Sequence, residues 1–160
     1  MKLVPSRVAE WAERYAAIAP VVAGIVPDAH IEHIGSTAVP GILAKDVVDV
    51  LVGVAEADVQ RTAAALADTG FDLEGVRPGH CWLSMPDRTA RHCIIHVVGF
   101  DGTRWAARLA FRDRLRSDPV ARAEYQKVKV EAADKAQGWG DYTAAKYPTV
   151  AKLLHADNGS

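Results

Sequence analysis

The sequence predicts an α+β fold, with sheet-forming segments gathered in the first hundred residues and helices after them. Three observations carry this. Short runs rich in β-branched residues, at 29–34, 47–54, 71–76, 80–84 and 91–98, are bounded by turn residues. Beyond Gly99, Trp105, Leu109, Phe111 and Leu115 recur at helical spacing. The strands also cluster together instead of alternating one by one with helices, as a doubly wound sheet would require.

The elements follow in order. Val8, Trp11, Ala12, Tyr15, Ala19 and Val22 share a helical face, which predicts a first helix over 5–19 with Pro5 in its first turn. Residues 29–34 alternate polar and apolar, the pattern of a half-buried strand. Residues 47–54 are more continuously apolar and predict a central strand. A helix over 57–69, with Leu66 and several alanines facing in, ends at Gly70. The Arg77-Pro78-Gly79 turn separates 71–76 from 80–84, and Met85-Pro86-Asp87-Arg88 precedes the strand at 91–98. Asp118-Pro119 reads as an N-cap with a first-turn proline, opening a helix to about Lys135. Gly138 and Gly140 break that helix, and Asp141 caps a last one through Leu154.

One domain is expected over 1–160, with a sheet part at about 1–99 and a helical part at about 100–156. The net charge of −1 gives no reason to expect nucleic acid or a membrane surface as partner. Cys81 and Cys93 show no metal-type pairing and read as reduced core thiols, so a cytoplasmic location is expected. The N-terminal segment lacks the apolar run of a signal peptide, and no stretch reaches the ~18 apolar residues of a membrane span. Asn158-Gly159-Ser160 reads as a frayed end.

The chemistry concentrates in His33-Ile34-Gly35-Ser36-Thr37-Ala38-Val39-Pro40-Gly41 and the run Lys45 to Val52 that follows. A Gly35-Ser36-Thr37 turn leaving a strand can aim backbone amides and two hydroxyls at phosphate oxygens. A tight strand-to-helix connection without a ligand would look the same. Asp49 lies among Val47, Val48, Val50, Leu51 and Val52, and a carboxylate there must meet a cation, a donor or an open cleft. A magnesium ion shared with nucleotide phosphates would meet that need. Asp46, three residues earlier, would face the other side of a regular strand and reads as a surface loop residue. Lys45 either reaches a phosphate or is an ordinary solvated lysine. His92 and His96 share a face of a regular strand, as metal ligands, acid–base groups or hydrogen-bonded structural residues. Arg104, Arg108, Arg112 and Arg116 recur every fourth residue, either as a solvated face, with Asp113 pairing Arg116, or reaching into a cleft toward an anion.

The segment from His33 to Gly41, with Ala44-Lys45 and Val48-Asp49-Val50, resembles the GrpB family. So does Phe111-Arg112-Asp113-Arg114-Leu115-Arg116-Ser117-Asp118-Pro119, followed by Tyr125 to Lys129 and Tyr142-Thr143 to Lys146. The resemblance covers about residues 28–155. It implies a nucleotidyltransferase-like mixed β-sheet with packed helices and a C-terminal helical tail. Such domains occur alone and as the C-terminal domain of some dephospho-coenzyme A kinases, where an accessory folding role has been suggested. The fold's usual site has a Gly-Ser turn, two acidic residues two apart on the next strand, and a third carboxylate on a later strand. Here Gly35-Ser36 and Asp49 match, Leu51 stands at the second acidic position, and the third aligns near His96. The family tends to have an arginine near 80–83, a place His80 takes here.

Two functions are expected from this. The first is a nucleotidyltransferase-like enzyme acting on a small metabolite with a Mg²⁺-bound nucleotide. Gly35, Ser36 and Thr37 would hold the phosphates, Asp49 the metal, Lys45 and Arg112 the developing charge, and His92 or His96 would deprotonate the acceptor or complete the metal shell. The second is a non-catalytic module that binds a nucleotide or coenzyme A-like anion, or assists a partner's folding. The missing acidic residue favours it.

Overall fold

A computed structural model describes residues 2–135, 146 and 148–153. In chain order the elements are α1 (Val8–Ile25), β1 (His30–Ile34), a one-turn 3-10 segment (Ser36–Ala38), β2 (Val48–Val54), a second such turn (Glu56–Asp58) and α2 (Val59–Asp68). There follow β3 (Asp72–Arg77), β4 (His80–Met85), β5 (Cys93–Gly99), α3 (Thr103–Ser117) and α4 (Pro119–Lys135). Residues 148–153 are also helical, while Gly138, Gly140 and Asp141 lie outside the described residues, as does the expected frayed end.

The strands form one mixed sheet in the order β1-β2-β5-β4-β3. β2 runs antiparallel to β1 and parallel to β5, and β5-β4-β3 continue antiparallel. Alternation along β2 and β5 sorts the side chains to two faces. Val48, Val50, Val52, Cys93, Ile95 and Val97 enter the main core with Trp11, Val22, Ala63 and Leu66 from α1 and α2. Leu51, Ile34 and Val98 lie on the other face, packed with Trp105 and Leu109 of α3.

A third cluster joins the loop after β1 to the helical part. Val39 and Ile42 pack with Leu115, Ala121, Tyr125 and Leu153. Two hydrogen bonds fasten the same loop to α4: the Leu43 amide donates to Gln126 Oε1 (2.8 Å), and Lys129 Nζ donates to the Leu43 carbonyl. Helix α4 is thus held over the Gly-Ser turn.

Some boundaries differ from the sequence expectation. The first helix starts after Pro5 and continues through Pro20 to Ile25. The lost proline N–H is outweighed because Val22, beyond it, is fully buried in the core. Strand β5 starts at Cys93, so His92 precedes it. Asp118 does cap α4, its Oδ1 accepting the Val120 and Ala121 amides at 3.0 and 3.2 Å. Asp113 pairs with Arg112 (2.9 Å), not with Arg116. Among the described residues no helix is long and apolar enough to cross a membrane, and Cys81 and Cys93 are buried free thiols.

Candidate active site

The site is built on the α3 side of the sheet, at the start of β2. Gly35 leaves β1 at φ 77°, a conformation that side chains oppose, and this turns the chain over Asp49. The approach is close: a Cβ on Gly35 would sit 2.6 Å from Asp49 Oδ2. Asp49 retains 30% side-chain exposure, so it opens to solvent beside the turn. Its other oxygen, Oδ1, lies 3.2 Å from His96 Nε2 on the neighbouring strand β5.

His96 extends the chain of contacts. Its Nδ1 is 3.2 Å from His80 Nε2, across to β4. The result is an Asp49–His96–His80 row over three adjacent strands, set by a sheet order that puts β5 between β2 and β4. With Asp49 ionised, His96 Nε2–H donates to it, and one proton bridges the 3.2 Å contact between His96 Nδ1 and His80 Nε2. Burial, with His96 and the guanidiniums of Arg108, Arg104 and Arg77, lowers His80 to about 3, so its ring stays neutral. Burial alone would raise Asp49. The hydrogen bond and charge of His96, with the ammoniums of Lys45 and Lys146, outweigh it and hold the carboxyl below its ordinary value.

Three lysines act electrostatically on this carboxylate. Lys129, 1% exposed, donates from Nζ to Ser36 Oγ at 2.6 Å and sits 5.5 Å from the centre of the Tyr125 ring. Lys146 Nζ lies 5.9 Å from that ring centre and 3.4 Å from the Tyr125 hydroxyl. Lys45 is half-buried. Burial and the charge of Lys146 lower Lys129 to about 7. Burial, with Lys146, Lys129 and Arg91, lowers Lys45 to about 6, against the opposing pull of Asp49. Lys45 is therefore not an ordinary solvated lysine.

The other expected site residues take different places. Thr37 is buried, its Oγ1 2.9 Å from His33 Nε2, so its hydroxyl braces the turn from within. His33 also stacks on Tyr15 at 4.9 Å. Arg112 is engaged inside the fold, donating to Glu32 Oε2 (2.7 Å) and the His33 carbonyl (3.1 Å). It fixes α3 to β1, and Arg116 fixes α3 to the 3-10 turn that follows by donating to the Ala38 carbonyl at 2.8 Å. Arg108, exposed one turn before Arg112, is the stripe member whose charge acts together with Asp49. His92 is exposed and precedes β5, so the row at Asp49 is completed by His80 and not by His92. Asp46 is a surface residue, as expected, receiving Trp11 Nε1 (2.9 Å) and Arg14 (3.0 Å).

In the sequence Lys129 enters only as the end of the family-like segment Tyr125 to Lys129, with no site role assigned. Its signal was there: the buried positions of α4 are Ala121, Tyr125, Lys129, Ala132 and Ala133, a single apolar stripe interrupted by one lysine. A buried ammonium must meet oxygen, and here it meets Ser36 and Leu43.

The residues present do not fit the expected magnesium ion. Mg²⁺ takes oxygen ligands, with one or two carboxylates beside substrate phosphates. Here Asp49 Oδ1 is engaged by His96 and Oδ2 abuts Gly35. Leu51, at the second acidic position, is fully buried in apolar contact. Among the described residues no group of three or more His, Cys, Asp or Glu could hold a metal. A separate cavity of about 620 Å³ opens at the far end of β2, lined by Asp28, Asp58, Asp101 and Arg61 among others. Three carboxylates against one guanidinium make it a poor place for phosphate.

A five-stranded mixed sheet with a Gly-Ser turn over a strand carboxylate defines a nucleotidyltransferase-like fold. The chain matches the Cid1 poly(U) polymerase, in a form described as Mg 3′-dATP bound, over 79% of its own length and 41% of that chain. The TM-score is 0.53, at 19% identity. The chain belongs to the GrpB family, whose model, described as GrpB protein, matches residues 2–156. It is similar to the conserved protein GrpB from Enterococcus faecalis, with TM-score 0.79 and 26% identity over 97% of this chain and 98% of that one. It is 42% identical to a UPF0157 protein of Deinococcus radiodurans, over 96% of this chain and 81% of that protein. Against the UPF0157 protein SCO7215 of Streptomyces coelicolor the identity is 36%, over 86% and 74%.

Proposed function

We propose that this chain binds a nucleotide through its phosphates between the Gly35-Ser36 turn and β2, and transfers the nucleotidyl group to a small acceptor. The observation that carries this reading is the turn itself. Gly35 closes on the Asp49 carboxylate while Ser36, the next residue, is hydrogen-bonded by a buried lysine. A carboxylate and an anion-binding turn thus share one opening, as nucleotidyl transfer needs.

In the reaction an acceptor hydroxyl beside Asp49 attacks the α-phosphorus. A new O–P bond forms, the bond bridging the α- and β-phosphates breaks, and pyrophosphate leaves. The hydroxyl proton passes to Asp49, the role a carboxylate plays toward a substrate hydroxyl in kinases. His96 has both ring nitrogens engaged, by Asp49 and His80, and acts by holding the carboxylate in place. The near-neutral charge balance supports a small metabolite over nucleic acid as acceptor, and the buried free thiols support a cytoplasmic setting.

The test is calorimetric titration with ATP, GTP, CTP and UTP, together with pyrophosphate release over a panel of hydroxyl acceptors. Binding of at least one nucleotide is expected, and Asp49→Asn should abolish release while keeping that binding. Failure of every nucleotide to bind would overturn the reading. Leu51 at the second acidic position favours the alternative, a binding module without turnover. Binding with no release from any acceptor would establish that alternative.

A further inference from the structure

We infer that the cavity at the carboxyl ends of β2 and β5 is a second ligand site, which takes a small organic cation: a primary ammonium group on an apolar stem. The inference does not depend on the nucleotide reading. Val54 lies five residues beyond Asp49 on β2, roughly 16 Å along a strand, so the two sites stand at opposite ends of the sheet.

Topology opens the cavity. β2 and β5 are parallel neighbours. The chain leaving β2 enters α2, whose Val59, Ala63 and Leu66 join the main core. The chain leaving β5 enters α3, whose Trp105 and Leu109 pack on the other face. Adjacent parallel strands whose following helices turn to opposite faces leave a crevice outside their carboxyl ends, the place where open α/β sheets bind ligands. Here that crevice measures about 620 Å³, within the ~300–1,000 Å³ of small-ligand sites.

The lining selects the charge of the ligand. Asp58 pairs with Arg61 at 2.5 Å, while Asp28 and Asp101 make no ion pair or hydrogen bond among the described residues. Exposed carboxylates alone are ordinary surface, and Thr62 is what marks a site. It is 6% exposed and lines the cavity from α2. A helical threonine often returns its hydroxyl to a carbonyl one turn back. Thr62 Oγ1 makes no hydrogen bond among the described residues and is not sealed from solvent, so it opens into the cavity.

One wall is aromatic. His30 stacks on Phe100 with ring centres 3.7 Å apart, and Trp105 lies against Phe100 at 5.2 Å. An ammonium group has three donors: the carboxylates and the Thr62 oxygen accept them, and the Phe100 ring face attracts the charge. Ile25 and Val54 offer apolar surface to the stem. Among the described residues no three His, Cys, Asp or Glu converge closely enough to hold a metal ion, so the spread of the carboxylates suits an extended cation.

The experiment titrates the full chain with butylamine, 1,4-diaminobutane and spermidine, and with neutral 1-butanol, followed by calorimetry and by backbone amide NMR shifts. The amines are expected to bind saturably and to shift the amides of residues 26–28, 54–62 and 100–101, with 1-butanol at least about fivefold weaker. Asp28→Asn and Asp101→Asn, both at exposed positions, should each weaken amine binding about two- to fivefold. Thr62→Val, checked for folding by circular dichroism, should weaken it about threefold or more. Tripolyphosphate binding at the Gly35-Ser36 turn is expected to be unchanged in Asp101→Asn, so the two sites are read separately. Absence of saturable amine binding, equal binding of 1-butanol, or amine binding indifferent to both asparagine variants would overturn the inference.

Discussion

Gly35 and Asp49 fit against each other with no room for a methyl group, a Cβ at position 35 falling 2.6 Å from the carboxylate oxygen. Gly35 also sits at φ 77°, where a side chain is strained whatever the space around it. Gly35→Ala is therefore expected to destabilise by roughly 1–3 kcal/mol and to displace the turn from the carboxylate. Urea denaturation and tripolyphosphate titration check the two effects. Unchanged stability and affinity would mean the contact does not constrain the turn.

Leu51 occupies the place of a second carboxylate, yet restoring one is not expected to create a metal site. The side chain is fully buried between Ile34, Val98, Trp105 and Leu109. Leu51→Asp should cost more than about 3 kcal/mol with no gain in Mg²⁺ affinity. Thermal melts with and without Mg²⁺ decide this. A Tm that rises with Mg²⁺ in the variant alone would show that the face can accept an ion.

Phosphate binding beside Lys129 and Lys45 is expected to depend on pH. Lys129 and Lys45 stand near 7 and 6, below the ordinary 10.5, through burial and the charges of Lys146 and Arg91, with Asp49 opposing. Above pH 7 they are largely neutral, and an arriving phosphate raises them again. Binding at pH 8 should take up protons, visible as a calorimetric enthalpy that varies with the buffer's ionisation enthalpy, and affinity should fall as pH rises from 6 to 9. For stability the sign is opposite. The unfolded chain holds these protons up to about pH 10.5, so the free protein should gain stability as pH rises from 7 toward 10. A flat enthalpy across buffers would count against lysine titration on binding.

His33 gives the acid limb. Burial lowers it to about 4 from 6.5, mainly against the pull of Asp49. The unfolded chain takes up that proton first, so its contribution to stability is lost as pH falls from about 6.5 toward 4. His33→Gln, which can still meet Thr37, should flatten the stability profile in that window as followed by urea midpoints.

Asp46 is expected to matter for stability and not for the reaction. It accepts the Trp11 indole N–H and ties α1 to the loop before β2. Asp46→Ala should lose about 1–2 kcal/mol with tripolyphosphate affinity unchanged. A large loss of affinity would place Asp46 in the site.

Much of this molecule could be read along the chain. Strands at 29–34, 47–54, 71–76, 80–84 and 91–98 were legible because side-chain alternation and turn residues are local signals, and α4 because Asp118-Pro119 marks its start. The end of α1 was not, because Pro20 breaks a helix locally while Val22 holds it by core packing. Asp49 was legible as a carboxylate in an aliphatic strand. His92 misled because it is separated from His96 by a strand boundary that only β-pairing sets.

What the sequence determined by itself was the list of elements and the proximity of Gly35-Ser36 to Asp49, groups close enough in the chain for one turn to unite them. The tertiary structure decided which distant groups join them. His96 reaches Asp49 across 47 residues because β5 pairs beside β2, and Lys129 reaches Ser36 across 93 because α4 packs on the loop after β1. Periodicity carries no information about such separations; burial of apolar surface between elements sets them, and the charges are carried along.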